Sequence, residues 1–195
     1  MTEWFFAPLQ SGAYRVIYVD PPWKFSSGPS RNPTNHYGCM PLQEIKDLPV
    51  RKLAHPDGCR LLMWATMPML EKSFEVLRAW GFRYSTARVW GKLWPREDGL
   101  FLYPDSFARG TGYEVVGNAE ILLIGKRGRP QGLGGHKPSS IILGRRREHS
   151  RKPDSVPQEY ANLLDGPRCE LFARERRPGW DVWGNDVDRF AGAAS

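Results

Sequence analysis

The chain has 195 residues, 41% of them hydrophobic, and carries 28 Lys and Arg against 21 Asp and Glu, a formal net charge of +7. That length suits one domain with a full core and is short for two, so residues 1–195 are read as a single domain. No apolar run approaches a membrane span and the N-terminus lacks a signal-peptide pattern, so no membrane partner is expected and the cytoplasm is the expected compartment.

Residues 14–19, Tyr-Arg-Val-Ile-Tyr-Val, form a run that predicts a buried parallel strand. It ends on Asp20-Pro21-Pro22-Trp23. Residues 42–54 predict a short helix interrupted at Pro49, and Asp57-Gly58 opens a second strand over 60–65. Leu70, Phe74, Leu77 and Trp80 at helical spacing predict a helix over 69–80, closed by Gly81. Further strands are predicted at 82–90, 120–125 and 169–173, with a helix at 157–164 before the last. Strands alternating with helices imply a mostly parallel α/β sheet covered on both faces. Residues 26–37, 91–112 and 127–152 resist the pattern, and loops this long in a compact domain are often functional.

The four residues after the first strand carry the chemistry. An acidic residue at the carboxyl end of such a strand stands where open α/β sheets bind ligands. The two prolines remove backbone donors and leave carbonyls free to accept. Trp23 offers a flat face for a planar ring, although packing under the neighbouring loop is its ordinary alternative. Asp20, Pro21, Pro22 and Trp23 are therefore the catalytic candidates, suited to an aromatic amine such as that of a nucleobase. Basic runs, Lys126-Arg127-Gly128-Arg129 and Arg145-Arg146-Arg147, lie in one Gly-rich stretch and are read as phosphate contacts rather than a solvated face. Lys24 fits either a phosphate contact or solvation. Tyr113, in Gly110-Thr111-Gly112-Tyr113, is a candidate active-site loop residue. Cys39, Cys59 and Cys169 are expected to be free thiols, and with four scattered His they give no metal-ligand spacing.

The ordered set of motifs resembles the MTA-70-like family of adenine-N6 methyltransferases. It comprises Asp20-Pro21-Pro22-Trp23, Gly81-Phe82, Val89-Trp90-Gly91-Lys92, Gly110-Thr111-Gly112-Tyr113, residues 120–125, Ser150-Arg151-Lys152-Pro153-Asp154, residues 170–174 and residues 179–186. The resemblance covers about residues 14–186. It implies a class I methyltransferase (Rossmann-like) sheet in permuted order, with the catalytic motif N-terminal and the cofactor motifs C-terminal. It also implies S-adenosylmethionine as cofactor, held by Asp20, Phe172, Arg174, Arg176, Asn185 and Asp186. Trp23, Lys24, Tyr113, Arg145, Arg146 and Arg147 would meet the substrate. The chain departs from the family at Ala119, where some members carry a basic residue, and at Asp186, where Glu or Gln is common.

The expected reaction is methylation of the N6 amine of adenine in nucleic acid, DNA before RNA, by a monomer or homodimer, with a hetero-partner left open. Asp20 and the Pro21 carbonyl would accept the amine protons. RNA adenosine methylation and a non-catalytic nucleic-acid-binding subunit are the alternatives.

Overall fold

The computed structural model describes residues 4–24, 38–94, 105–110, 112, 114–148 and 150–190. The chain lays down β1 (Val16–Val19), α1 (Leu42–Asp47), β2 (Gly58–Thr66), α2 (Leu70–Ala79), β3 (Arg83–Leu93) and β4 (Ala119–Gly128). It then adds β5 (Ile141–Arg145), α3 (Ser155–Leu163), β6 (Arg168–Leu171) and β7 (Asp181–Trp183). One seven-stranded sheet runs in the order β5-β3-β4-β2-β1-β6-β7. β1 pairs parallel with both β2 and β6, β6 with β7, and β3 with β5, whereas β4 is antiparallel to β2 and β3. Six strands therefore point one way and β4 the other.

The residue pattern explains the layering. All four residues of β1 and eight of the nine in β2 are buried, as strands covered on both faces require. Alternate residues feed two cores. Ile17, Val19, Leu61 and Met63 pack with Ile45, Val76 and Leu77 of α1 and α2. Val16, Tyr18, Leu62 and Trp64 pack with Val156 and Tyr160 of α3. α1 stops before Pro49, which gives way to a single 3-10 turn at Val50–Lys52. α2 ends on Gly81 at φ +77°, with the Phe82 N–H donating to the Leu77 carbonyl and the Gly81 N–H to that of Arg78. This is the paired C-terminal cap that a left-handed glycine permits.

Two strands escape the sequence pattern. β5 lies inside the stretch 127–152 expected to be a loop, because an edge strand buries only one face: Ile142 is buried while Ile141 and Leu143 are exposed. β7 is only three residues long. The expected strand over 169–173 ends earlier, at Leu171.

The topology fixes where a site can stand. From β1 the chain crosses to β2 on one side, and from β6 it crosses to β7 on the other. The crevice between the carboxyl ends of β1 and β6 is therefore the switch point of the sheet. Asp20 follows β1, and Phe172 follows β6.

Candidate active site

Asp20 opens onto a solvent-open cleft lined by Tyr18, Lys152, Glu170, Phe172, Arg174 and Phe190 among others. One carboxylate oxygen of Asp20, Oδ2, accepts from the Lys152 ammonium at 2.7 Å. Lys152 also lies 3.2 Å from Glu120 Oε2, and Lys92 donates to Glu120 Oε1 at 2.6 Å. Charges thus alternate along Asp20, Lys152, Glu120 and Lys92. The Lys152 side chain is only 9% exposed, and its ammonium sits 5.8 Å from the centre of the Trp64 ring. Burial alone would lower its pKa, yet Asp20 and Glu120 raise it above the ordinary lysine value. Burial likewise pushes Glu120 up, and the two lysines bring it below the usual carboxylate range. The geometry keeps Lys152 and Glu120 charged.

A second cluster braces the segment that carries Lys152. Arg177 donates to Glu170 at 3.1 Å, to Asp154 at 2.7 Å and to Glu175 at 2.5 Å. Arg151 meets Glu175 at 3.3 Å and stacks its guanidinium 4.9 Å from the Phe190 ring centre. Arg147 pairs with Asp154 at 2.5 Å and donates to the Lys152 carbonyl at 2.9 Å. Burial raises the Glu170 carboxyl to about 7, with Arg177 offsetting part of that rise. Ser150 and Phe172, both lining the cleft, take φ of 64° and 58°, the left-handed region that side-chain-bearing residues avoid. Such backbone is retained where surrounding contacts over-determine it, often at ligand sites.

The expected site residues fall into three groups. Asp20, Phe172 and Arg174 come together in the cleft. Phe172 also meets Trp183 of β7 edge to face, at 5.4 Å between ring centres. Arg176, Asn185 and Asp186 lie beyond the lining and are exposed; Arg176 donates to Asp188 and Asp186 accepts from Arg189. Asn185 follows Gly184, where a Cβ would come within 2.6 Å of the Ala173 carbonyl oxygen, so only glycine lets β7 end this close to the cleft. Lys24 is exposed, and Tyr113 lies outside the described residues.

Three expectations need correction. Trp23 is 5% exposed, belongs to the core and donates its indole N–H to the Trp64 carbonyl at 3.3 Å. Its ring is packed rather than presented to a base. The proline carbonyls are not both free: that of Pro21 accepts the Trp23 N–H at 2.8 Å and that of Pro22 accepts the Met40 N–H at 2.9 Å. Pro21 retains one lone pair for a substrate. Among the three arginines of the 145–147 run, Arg145 and Arg146 are exposed near the cleft end of β5, but Arg147 is bound into the brace. Lys152, Glu120 and Lys92 went unassigned as site residues. Their roles are visible only once β1, β3, β4 and the segment before α3 are assembled, although each sits inside a motif quoted above.

The MT-A70 family profile matches residues 14–186. The type II methyltransferase M.MunI of a Mycoplasma species is 28% identical over an alignment that covers 93% of this chain and 81% of that protein. Human METTL4, an N(6)-adenine-specific methyltransferase, is 29% identical across 91% of this chain and 38% of its own length. The human N(6)-adenosine-methyltransferase catalytic subunit METTL3 is 29% identical across 91% of this chain and 29% of its own. The chain therefore spans most of M.MunI but well under half of the two human relatives. With the family profile running from β1 through β7, the chain belongs to the MT-A70 family of methyltransferases.

Proposed function

We propose that this methyltransferase transfers a methyl group from S-adenosylmethionine to the N6 amine of adenine in nucleic acid. The observation that carries this reading is the Asp20 carboxylate at the switch point of the sheet, opening onto the cleft that Phe172 and Arg174 also line.

The cleft suits the cofactor by its donors. An amino-acid head group has one positive and one negative end, and the lining offers Asp20 and Glu175 for the first, Lys152 and Arg174 for the second. Phe172 supplies an aromatic surface, and Asn185, Asp186 and Arg176 stand just beyond for the nucleoside part. When bound, S-adenosylmethionine supplies an electrophilic methyl carbon.

The chain's own residues then deal with a weak nucleophile. The adenine amine has its lone pair delocalised into the ring. Asp20 Oδ1, which has no hydrogen bond among the described residues, accepts one amine proton, and the remaining lone pair of the Pro21 carbonyl accepts the other. Both contacts favour pyramidal nitrogen and compensate the positive charge that develops on it. Lys152 fixes the carboxylate by its other oxygen, so the amine is aimed rather than merely held. The surplus proton leaves for solvent after the new N–C bond has formed.

The likeness along most of a type II methyltransferase favours DNA over RNA. In duplex DNA the target base must be flipped out of the stack. The same reading has residues 1–195 acting as one catalytic domain, as a monomer or homodimer in the cytoplasm. Among the described residues no helix is long and apolar enough to cross a membrane. The test is mass spectrometry of nucleosides from DNA and RNA of cells expressing the chain. N6-methyladenine in DNA is expected. Methylated adenosine in RNA alone would reassign the substrate, and neither product would remove the enzyme reading.

A further inference from the structure

The basic run at 126–129 does not join the cleft. Because β4 runs against its neighbours, its last residues lie beside the first residues of β2, with Gly128 opposite Gly58 and Arg127 opposite Cys59. Asp20 instead stands one residue beyond the pairing of Val19 with Met63. About 17 Å of strand separates the two levels at ~3.3 Å per residue. That is beyond the reach of a side chain from the target base.

Other cations converge at this far end. Arg127 donates to the carbonyl of Gly81 at 3.3 Å, in the turn between Arg78 of α2 and Arg83 of β3. The Cβ of Arg51 lies 3.8 Å from where a Cβ at Gly81 would stand. Lys126 sits directly opposite Arg83 in the β3–β4 ladder. Arg129 follows, its N–H donating to the Asp57 carbonyl at 2.7 Å. Among the described residues none of these six has a carboxylate within ion-pair distance. Asp57 turns its carboxylate to Arg15 and His55 instead. By contrast, the buried or half-buried guanidiniums of Arg88, Arg151 and Arg177 each meet a carboxylate.

Like charges placed directly across a ladder destabilise it. Six gathered cations with no counter-charge repel one another and draw in a polyanion. Five of them are exposed and spread over a turn and a hairpin end, so they form no cage for a single phosphate. They match a line of phosphates, contacted without reading of bases.

We propose that this patch, at the end of the sheet opposite the cleft, is a second nucleic-acid contact that holds the phosphate backbone of a segment remote from the target base. The inference rests on the nucleic-acid substrate proposed above. Its role would be retention: the protein stays on a long polymer while the cleft samples bases.

The test compares the wild type with a variant carrying Arg51→Gln, Arg83→Gln, Lys126→Gln and Arg129→Gln, leaving Arg127 to its backbone bond. Affinity for a 40-base-pair duplex of mixed sequence is measured at several salt concentrations. The variant should bind more weakly, with a salt slope flatter by about two units or more, since each lost phosphate contact removes about 0.9 unit. Cofactor affinity by calorimetry, and methylation of a saturating six-nucleotide single strand, should not change. If the quadruple variant fails to fold, Arg51→Gln and Arg129→Gln singly should each remove about one unit. An unchanged slope beside normal wild-type methylation overturns the patch and leaves the enzyme reading standing. A wild type that neither binds nor methylates nucleic acid overturns both. Loss of binding to phosphatidylserine vesicles, with no change on the duplex, gives the patch to a membrane and overturns the proposal.

Discussion

Asp20 uses its two oxygens differently, and each use has its own test. Asp20→Asn keeps an oxygen that can still accept from Lys152, so the fold should survive. The amide lacks the charge and can turn a donor toward the amine, so the turnover rate should fall by about a hundredfold or more, the usual loss for one electrostatic stabiliser. Methyl transfer from labelled cofactor, followed beside thermal melting, checks both halves of that expectation. Lys152→Met should do more harm. It leaves Asp20 and Glu120 facing each other across a buried methionine, and an uncompensated buried charge costs about 3–5 kcal/mol. The melting temperature and the cofactor affinity should both drop. At this scale Asp20 was legible because its motif is local, with the acid at a strand end and prolines after it. Trp23 was misread because the same aromatic face serves a base or a core equally well. Lys152 stands inside the 150–154 motif with no role legible there, because its partner lies 132 residues away in sequence.

At the scale of elements, β5 and the segment after it divide a run of arginines that looks uniform as text. Arg145 and Arg146 project from an edge strand and its end, whereas Arg147 is tied to Asp154 and to the backbone of Lys152. Arg145→Gln with Arg146→Gln should flatten the salt dependence of nucleic-acid binding by about one to two units without changing cofactor affinity. Arg147→Gln alone should instead weaken cofactor binding, because Lys152 loses a brace. Titration calorimetry on the two variants separates these outcomes, and equal cofactor affinity in both would remove Arg147 from the brace. Helices and central strands were legible here from burial and periodicity. The edge strand was not, since one exposed face and flanking Gly and Arg leave no continuous apolar run. Nor was the reversal of β4, because the residues of a strand carry no record of its direction. That reversal is what sends Lys126–Arg129 away from the site.

Across the whole molecule, stability should depend on pH through Glu170. Its carboxyl is raised by burial from the ordinary carboxylate range to about 7 in the folded state. The folded protein therefore holds this proton more tightly than the unfolded chain does. The contribution is fully present below the unfolded pKa and is lost as pH climbs from about 4.5 through about 7. Glu170→Gln mimics the protonated form, so it should melt a few degrees above the wild type at pH 8 and beside it at pH 4.5. The α/β class and the end of the sheet that carries the candidate site were legible from alternating elements and one acidic strand end. Strand order was not, because it is settled by pairings between distant parts of the chain. Those pairings have a consequence in time. β1 stands between β2 and β6, and Val16 is in register with Arg168, 152 residues later. A growing polypeptide emerging from the ribosome can pair β1 with β2 early, but one edge of β1 stays open until nearly the whole chain has been made. Closing so large a loop is slow, as folding through remote contacts generally is. Asp20 and the residues that line the cleft from β6 onward thus meet only at the last stage of assembly. The first 150 residues released alone should show neither half of the chemistry.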